Sequence, residues 1–307
     1  MINATDYKKL EDFWKENGVE GVKKNSEMLK LAKELENKLI ESVRKNNFEM
    51  YYQPKVDADG QTTKSEALFR TKEDFFVRPD LAFALFKEFG HEGEVLMQQV
   101  EMVCKDTGTF KKEVSDDYCV SFNVAIAQLD EGFCKKLDEH LAKNKLKYSN
   151  IEIEILENED FENIPADKKE IINKLKQKGV KLALDDYGAG NTNEAAFKSL
   201  PFDTIKIDMG ISFKLSDKYY EKNGITDPEV IKKEKTEAAQ KIKEAYEMAK
   251  KHNKKVNFVV EGVEDEKQLK KLKEIAKDVI SQGYHYSKPI PAKDLVTYSN
   301  NLATQME

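Results

Sequence analysis

Two adjacent aspartates, Asp185 and Asp186, end a short apolar run in the segment KLALDDYGAGN. The run before them is typical of a buried strand, so both carboxylates would stand at the end of a core element. Each carboxylate raises the cost of ionising the other unless a cation lies nearby. The pair therefore predicts a cation-binding position where this strand ends.

Polar or ionisable side chains also stand near the ends of six other strand-like segments. In (β/α) barrels the C-terminal edges of the strands face the active site, so residues at these ends would converge. With the aspartate pair included, the residues are Glu66, Asn123, Glu154, Asp185, Asp186, Lys206, Glu261 and Gln282.

Each of these residues also has an ordinary structural explanation. Asp186 could cap a helix, Asn123 could start a turn, and Lys206 could pair with Asp208. Glu66 and Glu154 could lie on the solvated face of an edge strand. Taken together, however, five acids at one edge with a single lysine are costly to bury unless cations bind there.

The ligand types indicate which metal such a site would bind. The four histidines are scattered and form no HxH or HExxH pair, which disfavours an ordinary zinc site. Hard oxygen ligands favour Mg²⁺ or Mn²⁺. Adjacent aspartates suit a two-metal site that activates water for in-line attack on phosphorus. Lys206 would steady that water or the developing charge, and Glu261 could ligate a metal or take a proton.

The elements that would position these residues begin at Phe48. Strand-like segments alternate there with amphipathic helical stretches, which predicts an α/β fold, a TIM-like (β/α)8 barrel, with an open doubly wound sheet as the alternative. The first two segments are joined by DADG, too short for a crossover helix, so we expect a hairpin and one antiparallel barrel strand. The segments are FEMYYQPKV, TTKSEALFR, YCVSFNVA, IEIEILE, VKLALDD, TIKID, VNFVVEG and ISQGYHY.

Helical periodicity precedes the barrel pattern. Ser26 is a candidate N-cap for SEMLKLAKELENKLIESV, whose leucines and Ile40 form an apolar stripe. We predict an N-terminal helical segment over residues 1–46 and a barrel domain over residues 47–307. A charged stretch from Leu215 to Glu237 predicts a solvated surface excursion.

Composition narrows the class of protein. The 307 residues include 51 basic and 57 acidic side chains, a formal net charge of -6, and no basic cluster is interleaved with aromatics. A nucleic-acid polymer is therefore not an expected partner. Three separated cysteines fit a reducing compartment, and no signal-type or spanning apolar run occurs, so we expect a cytoplasmic protein without membrane insertion.

An ordered set of motifs resembles that of EAL-domain cyclic di-GMP phosphodiesterases. The resemblance covers roughly Leu35 to Ala292, and the ordered set is more specific than any single motif. The motifs are YYQPKV, EALFR, FNVA, IEIEILE, DDYGAGN, IKID, VVEGVE and QGYHYSKPIP. The resemblance implies hydrolysis of one phosphodiester bond of cyclic di-GMP, a bacterial second messenger, to linear pGpG. It also implies two Mg²⁺ or Mn²⁺ ions and a barrel whose first strand is antiparallel.

The resemblance implies roles for individual residues. Lys206 matches the lysine that positions the attacking water, and Glu261 matches an essential late glutamate at the metal centre. Glu157 matches the glutamate that anchors the loop after the paired aspartates. The positions that match metal ligands are Glu66, Asn123, Glu154, Asp185 and Asp186. Those that match positions around the nucleotide or the water network are Gln53, Leu68, Arg70, Glu264 and Gln282.

The chain also departs from the family pattern. Family members usually continue past the arginine with an aromatic and a His-Pro turn, whereas this chain runs TKEDFFVRPD, so we expect a different pocket wall near Thr71 to Pro79. Leu156 replaces a common threonine, which removes a hydroxyl but no expected metal ligand. In the family the glycine loop after the aspartates lies near a dimer interface, so a homodimer is the expected assembly.

An active phosphodiesterase is the leading hypothesis, because no metal ligand of the motif set is missing. One alternative is a barrel that binds cyclic di-GMP or docks a partner without turnover. Another is a metal-dependent hydrolase that acts on a different phosphodiester. Glu264 also has two readings, since it could accept from a guanine edge or cap the helix that begins near Asp265.

Overall fold

The computed structural model describes residues 2–72, 77–156, 159–189 and 193–304. The helices in these ranges are α1 (Ala4–Lys24), α2 (Ser26–Arg44), α3 (Pro79–Glu88), α4 (Glu92–Glu113), α5 (Glu131–Lys143), α6 (Ala166–Lys178), α7 (Glu194–Ser199), α8 (Met209–Ser212), α9 (Asp217–Lys222), α10 (Pro228–His252), α11 (Glu266–Ile275) and α12 (Ala292–Thr304). The strands are β1 (Phe48–Lys55), β2 (Lys64–Thr71), β3 (Cys119–Asn123), β4 (Ile151–Ile155), β5 (Lys181–Tyr187), β6 (Thr204–Ile207), β7 (Asn257–Val260), β8 (Ile280–Ser281) and β9 (Ile290–Pro291).

The chain divides into two compact units. The first comprises Met1–Tyr51 with Leu68–Val103, and the second comprises Tyr52–Ala67 with Cys104–Glu307. The division falls within β1, β2 and α4, so it differs from a simple cut along the sequence. The predicted domain boundary after residue 46 stays a prediction.

The first unit contains the predicted N-terminal helices. α2 begins at Ser26, but its N-cap is Asn25, whose side-chain oxygen accepts hydrogen bonds from the backbone N–H groups of Glu27 and Met28. The prediction of Ser26 as N-cap is therefore wrong by one residue, because the asparagine before it satisfies the free N–H groups of the first turn. Buried side chains of this unit include Leu35, Leu39, Leu81 and Phe86.

The sheet confirms the predicted barrel with one antiparallel strand. Its strand order is β8-β7-β6-β5-β4-β3-β2-β1-β9, and neighbours from β2 to β8 pair in parallel. Val56, directly after β1, bridges Ser281 of β8 in antiparallel fashion through N–H to C=O bonds of 2.9 and 2.7 Å. This bridge joins both ends of the order from β1 to β8 and closes the sheet. The short β9 was not predicted.

β4 shows that the barrel interior is polar. Its sequence IEIEI would suit an edge strand with one solvated face, yet all five residues are buried. β4 lies between β3 and β5, and its isoleucines and glutamates occupy opposite faces because side chains alternate along a strand. The alternative of a solvated edge position for Glu154 is therefore wrong.

The charged stretch after β6 is only partly a surface excursion. It forms α9 and the start of α10, and Tyr220 within it is buried, with its hydroxyl donating to the C=O of Lys214 at 2.9 Å. The prediction of a solvated excursion missed this aromatic anchor because the surrounding charges dominate the local composition. Within the described ranges, none of the helices has the length and apolarity to span a bilayer.

Candidate metal centre

Two successive layers of polar side chains lie in the second unit. Residues two apart on a strand share a face, and three strands carry a polar pair of this kind, namely Ser121 with Asn123, Glu152 with Glu154, and Thr204 with Lys206. We call the first layer the inner layer and define it as Lys55, Ser121, Glu152 and Thr204. We call the second layer the rim and define it as Glu66, Asn123, Glu154, Asp185, Asp186, Lys206, Glu261 and Gln282.

Lys206 lies at the centre of the rim and is only 1% exposed. Its Nζ contacts four carboxylates, those of Glu154 (2.7 Å), Asp185 (2.7 Å), Glu261 (2.8 Å) and Glu66 (3.4 Å). Burial alone would lower the pKa of Lys206, but the four carboxylates raise it well above its ordinary value. Lys206 therefore carries a positive charge at neutral pH.

Glu66 is fixed by amide side chains. Gln282 Nε2 donates to Glu66 Oε2 at 2.7 Å and to Gln53 Oε1 at 3.2 Å. Asn123 Nδ2 donates to Glu66 Oε1 at 3.4 Å, and Gln53 Nε2 donates to the C=O of Ser287 at 3.2 Å. The structure thus brings Gln53, predicted near the nucleotide, into the hydrogen-bond network of the rim.

A bulge in β5 places the two aspartates. The pairing of β5 with β6 shifts register between Leu184 and Tyr187, and Asp186 has a φ of 47°, in the left-handed region. Regular alternation would send adjacent side chains to opposite faces, but a bulge re-aims one of them. Carboxylate oxygens of Asp185, Asp186 and Glu261 consequently lie within 4.8 Å of one another.

Gly188 follows this bulge with a φ of 93°. A Cβ at this position would collide with the Ile211 side chain, so glycine suits both the backbone and the space. The second loop glycine, Gly190, lies outside the described residues.

The buried carboxylates of the rim differ in pKa because they share the lysines unequally. Burial would raise the pKa of Glu154, but the charges of Lys206 and Lys55 outweigh it and lower the pKa to about 2. Burial raises the pKa of Asp185 well above its ordinary value despite Lys206. Burial likewise raises the pKa of Glu261 to about 7. The rim therefore holds more negative charge than its own lysine can stabilise.

Lys55 is a residue of the site that sequence reasoning missed. Its Nζ lies 2.7 Å from Ser121 Oγ, 2.7 Å from Glu154 Oε1 and 3.7 Å from Glu152 Oε2. The expectation of a single lysine among the acids is therefore wrong. The signal that could have found Lys55 was a charged residue in a strand otherwise suited to the core, in the segment YYQPKV.

The loop after β7 is held by a buried glutamine. Gln268 Nε2 donates to the C=O groups of Ser212 (2.9 Å) and Gly262 (3.0 Å), and its Oε1 accepts from the N–H of Glu264 at 2.8 Å. Asp265 is the N-cap of α11, since its side chain accepts from the N–H of Gln268 at 2.8 Å. The alternative role of Glu264 as this cap is therefore wrong.

Three other predicted positions are Leu68, Arg70 and Glu157. Leu68 and Arg70 belong to the first unit, where Arg70 Nη1 donates to the C=O of Phe69 at 2.7 Å and its guanidinium lies 5.8 Å from the centre of the Tyr51 ring. Glu157 lies outside the described residues.

The donors present fit hard divalent cations. The rim supplies five carboxylates and amide oxygens, which are the ligands that Mg²⁺ and Mn²⁺ prefer. Among the described residues, Asn123 Oδ1 is buried without a hydrogen-bond partner, so it is an oxygen available to an ion. The excess of negative charge at the rim supports the same assignment.

Comparison with known sequences identifies the relatives of this chain. The sequence model of the EAL domain family matches residues 36–289 of this chain. The chain is 28% identical over 264 residues to cyclic di-GMP phosphodiesterase NbdA of Pseudomonas aeruginosa, covering 84% of this chain and 31% of the relative. It is 28% identical over 262 residues to cyclic di-GMP phosphodiesterase PdeA of Borreliella burgdorferi, covering 82% of this chain and 35% of the relative.

Comparison with solved structures supports the fold. The EAL enzyme Bd1971 in its form bound to cAMP and cyclic di-GMP superposes with a TM-score of 0.72 at 22% identity, covering 87% of this chain and 68% of that chain. At this identity the likeness shows the fold alone. The chain spans about a third of the length of the first curated relatives that it matches.

Proposed function

The chain belongs to the EAL domain family, and from this premise we propose that it hydrolyses one phosphodiester bond of cyclic di-GMP to give linear pGpG. The observation that carries the proposal is the rim, where four buried or nearly buried carboxylates converge on Lys206 within 3.4 Å. Water would add across one P–O bond, with its oxygen joining phosphorus while the ribose 3′ oxygen leaves and takes a proton. We expect this reaction to lower the level of the second messenger cyclic di-GMP.

Five residues of the rim would hold two Mg²⁺ or Mn²⁺ ions, namely Glu66, Asn123, Glu154, Asp185 and Asp186. When bound, the ions would lower the pKa of a water molecule and neutralise charge that develops on the phosphoryl group. The bulge at Asp186 supports this assignment, since it turns adjacent carboxylates toward a shared space.

Lys206 and Glu261 have separate roles in the proposal. The raised pKa of Lys206 keeps it cationic, so it positions water or stabilises developing negative charge and does not act as a general base. Glu261, with a pKa near 7 in the metal-free site, is suited to accept a proton or to complete the coordination of an ion.

Substrate contacts are assigned to five further positions, which are Gln53, Leu68, Arg70, Glu264 and Gln282. Gln282 Nε2 donates to both Gln53 and Glu66, which supports a role for the two glutamines in the water network. Arg70 offers the planar donor pattern that phosphate oxygens accept. Glu157 keeps its proposed role of anchoring the loop after the aspartates.

The biological setting is part of the proposal. The expected partner is cyclic di-GMP, with a homodimer as the assembly, no nucleic-acid polymer as partner, no membrane insertion and the cytoplasm as the compartment. The proposed layout is a helical segment over residues 1–46 followed by a barrel domain over residues 47–307.

Hydrolysis by purified protein tests this function. We expect pGpG to form from cyclic di-GMP with Mg²⁺ or Mn²⁺ and not with EDTA, and Asp185→Asn to abolish it while Glu131→Gln, on the exposed face of α5, does not. Tight binding of cyclic di-GMP without product under either ion would instead indicate that the protein is a receptor for this nucleotide. Cleavage of other phosphodiesters at a higher rate would assign a different substrate.

A further inference from the structure

Glu154 is held by a lysine on each side. Its Oε1 accepts from Lys55 Nζ at 2.7 Å, and its Oε2 accepts from Lys206 Nζ at 2.7 Å. Lys55 is 1% exposed as a side chain and Glu154 is fully buried. With both oxygens fixed, the carboxylate has one orientation that satisfies both bonds.

Lys55 is itself fixed by the inner layer. Ser121 Oγ lies 2.7 Å from Nζ, and Glu152 Oε2 lies 3.7 Å away. Glu152 has a neutral partner as well, because Thr204 Oγ1 donates to its other oxygen at 2.5 Å. The ammonium of Lys55 is therefore closer to the rim glutamate than to the glutamate of its own layer.

We propose that Lys55 is a positioning residue that orients Glu154 for cation binding at the rim. The ammonium occupies Oε1, so Oε2 is the oxygen directed toward Lys206 and the remaining rim acids. Groups that hydrogen-bond to a metal ligand orient it, and their loss typically weakens metal binding by about 10- to 100-fold. This inference rests on the proposed function only in that the rim binds divalent cations.

A simpler role for Lys55 would be to balance the charge of Glu152 and Glu154. The two roles make different predictions for a paired substitution. Lys55→Met removes one positive charge, and adding Glu152→Gln removes one negative charge, so the double variant has the net charge of the parent. Charge balance would then be restored, whereas the bond that orients Glu154 would still be missing.

Calorimetric titration of the full chain with Mn²⁺, without nucleotide, tests the proposal. We expect Lys55→Met to bind Mn²⁺ about 10- to 100-fold more weakly. We expect Lys55→Met/Glu152→Gln to recover the thermal midpoint of unfolding yet still bind Mn²⁺ weakly. Parental Mn²⁺ affinity in either variant would overturn the positioning role.

A milder variant keeps the test informative if Lys55→Met does not fold. Ser121→Ala keeps both charges and removes one bond that fixes Lys55, so we expect Mn²⁺ affinity to fall by a few fold. Unchanged affinity in Ser121→Ala would contradict the proposal, as would a parent chain that binds no Mn²⁺. A parent that binds Mn²⁺ but forms no pGpG would refute the proposed function and leave the positioning role intact.

Discussion

The inner layer and the rim are adjacent, polar and buried, yet they differ in their balance of positive and negative charge. In the inner layer Glu152 faces Lys55 and a threonine hydroxyl, so one acid has one cation and a neutral donor. In the rim, Lys206 contacts four carboxylates, and one of these, that of Glu154, also bonds Lys55 of the inner layer. The inner layer is close to electrostatic balance, whereas the rim has an excess of negative charge.

This difference separates the inner layer, which stabilises the barrel, from the rim, which is suited to bind cations. Buried charges cost free energy unless they are paired and hydrogen-bonded. Glu154, which contacts both lysines, has a pKa of about 2, whereas Glu261, which contacts Lys206, has a pKa of about 7. Divalent cations at the rim would supply the positive charge that it lacks.

The largest expected effect is the loss of turnover when a rim ligand is removed. Glu66→Ala and Asp185→Ala should each lower the rate of pGpG formation by on the order of 10³-fold, since bound metal contributes several kcal/mol to transition-state stabilisation. Initial rates with Mn²⁺ measure this, and circular dichroism verifies that each variant folds. Near-normal rates in either variant would show that these carboxylates are not metal ligands.

Removing the ammonium of Lys206 should lower the stability of the protein. Lys206→Met leaves four rim carboxylates without their shared ammonium, so the free energy of unfolding of the metal-free protein should fall by about 3–5 kcal/mol. Urea denaturation followed by fluorescence measures the change. Mn²⁺ should restore part of the loss, and equal stability of variant and parent without metal would mean that the rim acids do not depend on Lys206.

The pH dependence of stability should have opposite signs for Glu261 and Glu154. Because the pKa of Glu261 is raised to about 7, this residue stabilises the metal-free protein below pH 4.5. That contribution to the free energy of unfolding is lost as pH rises through about 7. The lowered pKa of Glu154 contributes stability above pH 4.5 that is lost as pH falls toward about 2. The Glu261 effect should be on the order of 1–3 kcal/mol.

Thermal unfolding across this range, with EDTA present, measures both signs. Glu261→Gln is the matched control, and its stability should fall less steeply between pH 4.5 and about 7 than that of the parent. An identical slope in this variant would mean that Glu261 does not titrate there. Mn²⁺ should stabilise the parent increasingly as pH rises through the same range, because its ligands must be deprotonated.

The smallest effect is expected for an exposed ion pair. Lys174 Nζ lies 2.7 Å from Glu131 Oε2, but the side chains are 43% and 72% exposed. Glu131→Ala should change the free energy of unfolding by about 1 kcal/mol or less, because water screens the pair. Urea denaturation in low and high salt measures this, and a loss as large as that of Lys206→Met would refute the distinction between buried and exposed charge.

The barrel and the membership of the rim were predictable from sequence because both follow local rules. Short apolar runs predict the main strands, and parallel strands bring the residues at their ends to one edge. Strand β9 was not predicted because its two residues are too few to show a periodic pattern. The role of Lys55 was not predicted because its contacts with Ser121 and Glu154 depend on how distant strands close the barrel.

The geometry of the aspartate pair was also beyond sequence reasoning. Strand alternation predicts opposite faces for Asp185 and Asp186, and nothing in DDYGAGN specifies the left-handed φ of Asp186. The register shift between β5 and β6 is a tertiary feature, since it depends on the pairing partner. The residue types of the centre were thus readable, whereas their orientation was not.

Titration of the metal-free chain with Mn²⁺ near neutral pH tests the cation-binding role of the rim most directly. We predict that two ions bind per chain, that binding raises the thermal midpoint, and that Asp185→Asn loses binding while Glu131→Gln does not. If the parent chain bound no Mn²⁺ or Mg²⁺, or if Asp185→Asn bound both ions as the parent does, the excess of negative charge at the rim would not be a metal site.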